Sequence, residues 1–200
     1  MKTAMLGGHR ETREEGLLAN LRAATRKQHA ALDATIGPAL ARSTASYARF
    51  LRESFGPASA VEVAVERALG ADFRTIRGAA LRADLEALGE AAPEEPPPLH
   101  LASEAEAIGA AYVLEGSALG GIVLAAKVRD ALGDDVPTRY LQLRGREASA
   151  RWRWFLDELR RLDGRWSEAM VAAACGAAVR AFDLYAGAFQ RHAARDGAWS

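Results

Sequence analysis

One cysteine in 200 residues, Cys175, leaves no internal disulfide to form. Its neighbours Ala174 and Gly176 mark it as a small buried hydrophobe of a packed helix rather than a nucleophile. Net charge is also missing: 26 Lys and Arg stand against 26 Asp and Glu. Without a strong positive field the chain is not a general nucleic-acid binder, although a local basic pocket for a small anion is compatible with that balance. Strand-forming runs of Val, Ile and Thr are scarce, whereas half the residues are hydrophobic and alanine dominates. The opening MKTAMLGGHRETREE lacks the apolar stretch of a signal peptide, and no segment reads as an uncharged run of membrane-spanning length. The expectation is an all-α, single-domain cytoplasmic chain that engages neither nucleic acid nor membrane.

Apolar spacing predicts a first helix over about residues 17–36, stopped by Gly37 and Pro38. Gly56-Pro57 predicts a break between a helix over 44–55 and another over 57–69. A fourth is expected over 73–88. Prolines at 93 and 96–98 make a surface loop within the domain. Ser103 is placed to cap a long helix reaching Leu132 before Gly133. Helices over 146–162 and 167–192 follow, with 138–143 open between helix and coil. Residues 1–15 read as a flexible tail and 16–195 as one helical domain.

In the first helix, Arg22 and His29 are seven residues apart, so they differ by only about 20° around the axis and about 10 Å along it. Asp33 follows His29 at i+4, within side-chain reach. A cation, an imidazole and a carboxylate thus stand in line. An imidazole can bind a metal through one nitrogen while a partner holds the other N–H. Taken alone, a single His on an amphipathic helix is more often structural than ligating, and Arg22 and Asp33 more often solvated charges. His9, His100 and His192 show no zinc-site spacing with it or with each other.

The string Tyr112-Val113-Leu114-Glu115-Gly116-Ser117-Ala118-Leu119-Gly120-Gly121 is the second unusual feature. Gly116 and Gly120 share a helix face, which lets another body approach the backbone closely. That body is either a flat ligand or a neighbouring helix, and small residues at this spacing commonly pack helices. No phosphate-binding glycine loop, nucleophile elbow or cluster-binding set of cysteines is present.

Together the stretch Leu21–Asp33 and the string YVLEGSALGG resemble the proximal and distal helices of the haem oxygenase family. The likeness is to its bacterial branch, and especially to members that accompany bacteriophytochromes. The resemblance implies a multi-helical haem-oxygenase-like bundle with haem between these two helices and His29 as axial iron ligand. It implies that Gly116, Gly120 and Gly121 let the distal backbone lie over the porphyrin. Arg22 matches a basic residue near a haem propionate; Tyr112, and Arg153 on the helix after residue 146, are further propionate candidates. Ser117 replaces the aspartate that organises distal water in animal-type members, and brings a hydroxyl without charge. The implied activity is oxidative opening of haem to biliverdin, CO and ferrous iron, with His29, Ser117 and Gly120 at its centre. Haem would be substrate and cofactor at once, O2 would be consumed, and electrons would come from a ferredoxin or flavoprotein reductase. A bacteriophytochrome apoprotein is the implied recipient of product. A haem carrier or sensor without turnover, or a helical scaffold without haem, are the competing classes.

Overall fold

The first helix, α1 (Leu17–Ile36), begins where a remote carboxylate caps it: the Leu17 amide donates to Asp163 Oδ1 at 2.6 Å. Negative charge at a helix N-terminus satisfies orphan amides and the macrodipole together. The computed structural model describes residues 16–38 and 40–196, the final five by backbone alone. The expected tail, residues 1–15, lies outside the described residues, as does the His192 side chain.

Five more helices follow: α2 (Thr44–Leu69), α3 (Arg77–Ala87), α4 (Glu104–Leu132), α5 (Ala148–Leu162) and α6 (Glu168–Asp196). Among the described residues there is no strand. The bounds of α1 agree with the apolar spacing. Ser103 caps α4 as expected, accepting from the Glu106 amide at 3.2 Å, and Gly133 ends the helix with a positive φ of 99°.

The predicted break at Gly56-Pro57 is corrected: α2 runs through it. Proline removes one amide from the helix ladder, but the buried face is continuous across it, from Tyr47, Leu51 and Phe55 to Ala58, Val61 and Val65. That burial outweighs the missing hydrogen bond. The region expected as one helix over 73–88 is instead a short 3₁₀ turn, Ala71–Phe73, and then α3. Glu62 of α2 explains where α3 starts, because its carboxylate accepts from the amides of Arg77 at 2.7 Å and Gly78 at 3.0 Å.

α4 and α6 pack against each other at the centre, and α1 lies on α6. Gly109 sits at the closest approach, where any side chain would run into the Ala174 backbone of α6. The proline-rich segment is extended and is pinned to α2 by Leu99 N–H donating to the Ala60 carbonyl at 3.0 Å. The sequence expectation about apolar length also needs correction. By length and composition α4 and α6 are both apolar enough to cross a membrane. In this fold that apolarity serves a central helix pair, with Ala110, Leu114, Ala178 and Ala181 buried.

Candidate haem-binding cleft

The buried stripe of α1 runs through Leu17, Leu21 and Thr25. His29 comes next on that stripe, at i+4 from Thr25, yet its side chain is 63% exposed. A residue on the inward face of a helix stays exposed only where nothing covers it. One neighbour does reach it: the Phe182 ring of α6 meets the imidazole edge-on, with centroids 5.8 Å apart. Asp33 Oδ2 lies 2.9 Å from His29 Nδ1. This leaves Nε2 as the free ring nitrogen and fixes the tautomer and the ring plane.

α4 also stands on α6, but α1 and α4 do not form a packed pair. They meet near one end, where Lys127 Nζ donates to the Gly37 carbonyl. On α4, Ser117 and Gly120 are exposed and, one turn on, so is Val123, at 69%.

The glycines of this string face three different things. A Cβ at Gly120 would meet nothing within 4 Å. At Gly116 it would meet the Trp152 ring of α5 at 3.6 Å. At Gly121 it would drive into the Leu141 carbonyl, so that glycine serves the packing of the segment after α4 and not the cleft. Of the three positions expected to bare the backbone for a ligand, only Gly120 has open space in front of it.

Behind the cleft α4 is held by charge. Glu115 is buried, and Arg151 of α5 grips its Oε1 through Nε at 2.9 Å and Nη2 at 2.7 Å. Arg144 adds its charge at 3.9 Å from the same oxygen. Burial pulls the Arg144 guanidinium below its usual range, with Glu115 opposing that shift. Buried Arg77 donates to the Leu114 carbonyl, and the same carbonyl accepts from Ser117 Oγ at 2.8 Å. The Ser117 proton is therefore directed into its own helix, and the oxygen's lone pairs face outward for a donor such as water.

The remaining candidates are placed as follows. Arg22 is exposed on α1, on the His29 side by helical phase. Tyr112 is half-buried one turn before Gly116, its ring 6.0 Å from that of Trp152. Arg153 is exposed and about 100° around α5 from Trp152. The α5 arginine that turns inward is Arg151, which spacing had not singled out. Cys175 is half-buried and burial raises its thiol, in keeping with a packing role.

These residues suit a metallated planar ligand. Among the described residues no group of three or more His, Cys, Asp and Glu converges to hold a bare ion. One free imidazole nitrogen is what a macrocycle needs, since the ring supplies the other donors itself. Phe182 offers an apolar ring beside that imidazole, and the backbone at Gly120 has nothing within 4 Å of where a Cβ would stand.

A solved haem oxygenase from Neisseria meningitidis, described in NO- and CO-bound forms, superposes on this chain with a TM-score of 0.67. The alignment covers 88% of this chain and 92% of that one. This chain has the haem oxygenase fold. The sequences are 22% identical over the match, and the likeness extends to the fold without singling out a branch. No family model matches the chain. No curated protein matches it in sequence.

Proposed function

We propose that this chain is a haem oxygenase, in which His29 would hold the haem iron and the open backbone at Gly120 would admit the ring beside α4. The observation that carries the reading is His29 itself. It is an exposed imidazole on a helix's inward stripe, braced at Nδ1 by Asp33, on a helix that does not form a packed pair with α4.

Haem, when bound, supplies the iron that activates O2 and is itself the substrate, opened to biliverdin with release of CO and ferrous iron. His29 Nε2 would hold the haem iron. Asp33 accepts from Nδ1–H, which orients the ring. Gly120 admits the macrocycle close to α4. Ser117 Oγ, its proton engaged by Leu114, holds a donor water on the cleft side. Arg22 takes a propionate from the α1 side, while Tyr112 lies behind Trp152 and Arg153 lies on the outer side of α5. Electrons come from a ferredoxin or flavoprotein reductase. The reading includes a soluble cytoplasmic protein and, from the motif likeness alone, delivery of product to a bacteriophytochrome apoprotein.

Purified protein mixed with hemin should give a sharp Soret band. Adding reductant and O2 should abolish that band and yield biliverdin by chromatography. His29→Ala should lose turnover and hemin affinity while the apoprotein's stability changes by less than about 0.5 kcal/mol, because the side chain is exposed. Wild-type turnover in that variant rejects the ligand assignment. A Soret band that survives reductant and O2 marks a carrier or sensor instead, and no band at all rejects haem.

A further inference from the structure

Tyr112, Gly116 and Gly120 follow one another at i+4 along the cleft face of α4. The first two are covered by one side chain. Trp152 lies 6.0 Å from the Tyr112 ring, centroid to centroid, and brings Cζ3 and Cη2 to 3.6 and 3.7 Å from where a Gly116 Cβ would stand. Gly120, one turn on, is open. The bare backbone at Gly116 is therefore used by the protein's own indole, and space for a ligand begins beyond it. The indole is backed by other rings. Fully buried Phe155 backs it at 5.8 Å, and the Phe73 ring closes on Phe155 at 6.4 Å. The register of α5 is fixed by the adjacent Arg151, clamped on buried Glu115.

We propose that Trp152 is the seating stop of the cleft: its outer ring limits how far a porphyrin extends along α4 and so selects one rotation of the ring about the iron–His29 axis. The proposal rests on the haem reading. A rigid apolar plate suits the edge of a porphyrin, whose faces and rim are apolar apart from the propionates. Rotation about the axial bond is otherwise limited only by what the ring's substituents strike. A wall met on one side turns several near-equal seatings into one. Trp152 acts through substrate position and takes no part in proton or electron movement, so it is a specificity-determining residue.

The test is proton NMR of the ferric cyanide complex reconstituted with hemin, read at the hyperfine-shifted haem methyl resonances. Wild type should show one dominant set of methyls beyond the two faces in which hemin can insert. Trp152→Ala should add further sets or move the methyl pattern, and should shift the biliverdin isomer ratio in turnover. Trp152→Phe retains packing on Phe155 but withdraws the outer ring, so it should act in the same direction and serves if the alanine variant does not fold. Gly116→Ala, whose new methyl would make only ordinary contact with the indole, should leave the seating unchanged. Phe155→Leu, which gives the indole room to move back, should lower stability and move the methyl pattern in the same direction as the Trp152 variants. Unchanged methyl patterns in the Trp152 variants, or a new pattern in Gly116→Ala, overturn the proposal while leaving haem binding intact. Failure of wild type to bind hemin overturns the functional reading and this proposal with it.

Discussion

α1 and α4 rest on the same helix, α6, and are held in opposite ways. α1 is fastened near its ends, by Asp163 at the Leu17 amide and by Lys127 at the Gly37 carbonyl. Beyond Thr25 its cleft-side residues have little over them; His29 and Asp33 are 63% and 70% exposed. α4 is braced through its middle. Arg77 reaches Leu114, Arg151 and Arg144 reach Glu115, Trp152 covers Gly116, and Leu141 fills the space beside Gly121. The helix that presents a side chain to the ligand needs only that side chain held. The helix that presents backbone must itself be immobilised, because no rotamer can compensate if the backbone shifts.

The sharpest way to break this contrast is to unfasten α4. Arg151→Met should cost about 3 kcal/mol or more, since it leaves buried Glu115 facing only Arg144 at 3.9 Å. Urea unfolding measures it, and adding Glu115→Gln should recover much of the loss. A cost below about 1 kcal/mol would mean the ion pair is not what holds α4.

Neighbouring glycines sharpen the comparison within α4 itself. Gly121→Ala should destabilise the apoprotein by about 1–3 kcal/mol, because its methyl collides with backbone at Leu141. Gly120→Ala should stabilise the apoprotein by up to about 1 kcal/mol, as alanine does in an open helix position, and should weaken hemin binding. Thermal melts of both apoproteins decide it. Equal effects of one sign would show that the two glycines do not face different surroundings.

The pattern of legibility follows the same divide. α1 was readable to its ends, and the His29–Asp33 pair was readable as an i+4 contact, because both depend on near neighbours in sequence. The Ser103 cap and Gly133 stop of α4 were readable for the same reason. The braces were not. Arg151 and Glu115 are 36 residues apart, and Arg77 and Leu114 are 37. No period links such partners, and one arginine among 26 basic residues carries no mark of burial. Telling inward Arg151 from exposed Arg153 required the phase of α5, which is set by Phe155 and Leu159 facing inward. The break expected in α2 failed because a local rule about Pro57 met a buried face that only tertiary packing reveals.

The smallest expected effect lies at the N-terminus of α4, where the bracing is exposed. Glu106 Oε2 accepts from the Ala102 amide at 2.8 Å and lies 3.0 Å from Arg180 Nη2 of α6. The amide first, and then Arg180, hold its carboxyl below the usual glutamate range, against partial burial that raises it. A carboxyl with a depressed folded-state pKa binds fewer protons than the unfolded chain does. Its stabilisation is therefore complete above the ordinary glutamate pKa and is lost as pH falls through the lowered one. Glu106→Gln should melt slightly below wild type at neutral pH, and the two curves should merge as the pH drops through and below the glutamate range. If the gap persists unchanged in acid, the contribution of Glu106 is geometric rather than ionic. α4 would then be tied to α6 there by shape, as it is at Gly109, and charge would brace it only in its buried middle.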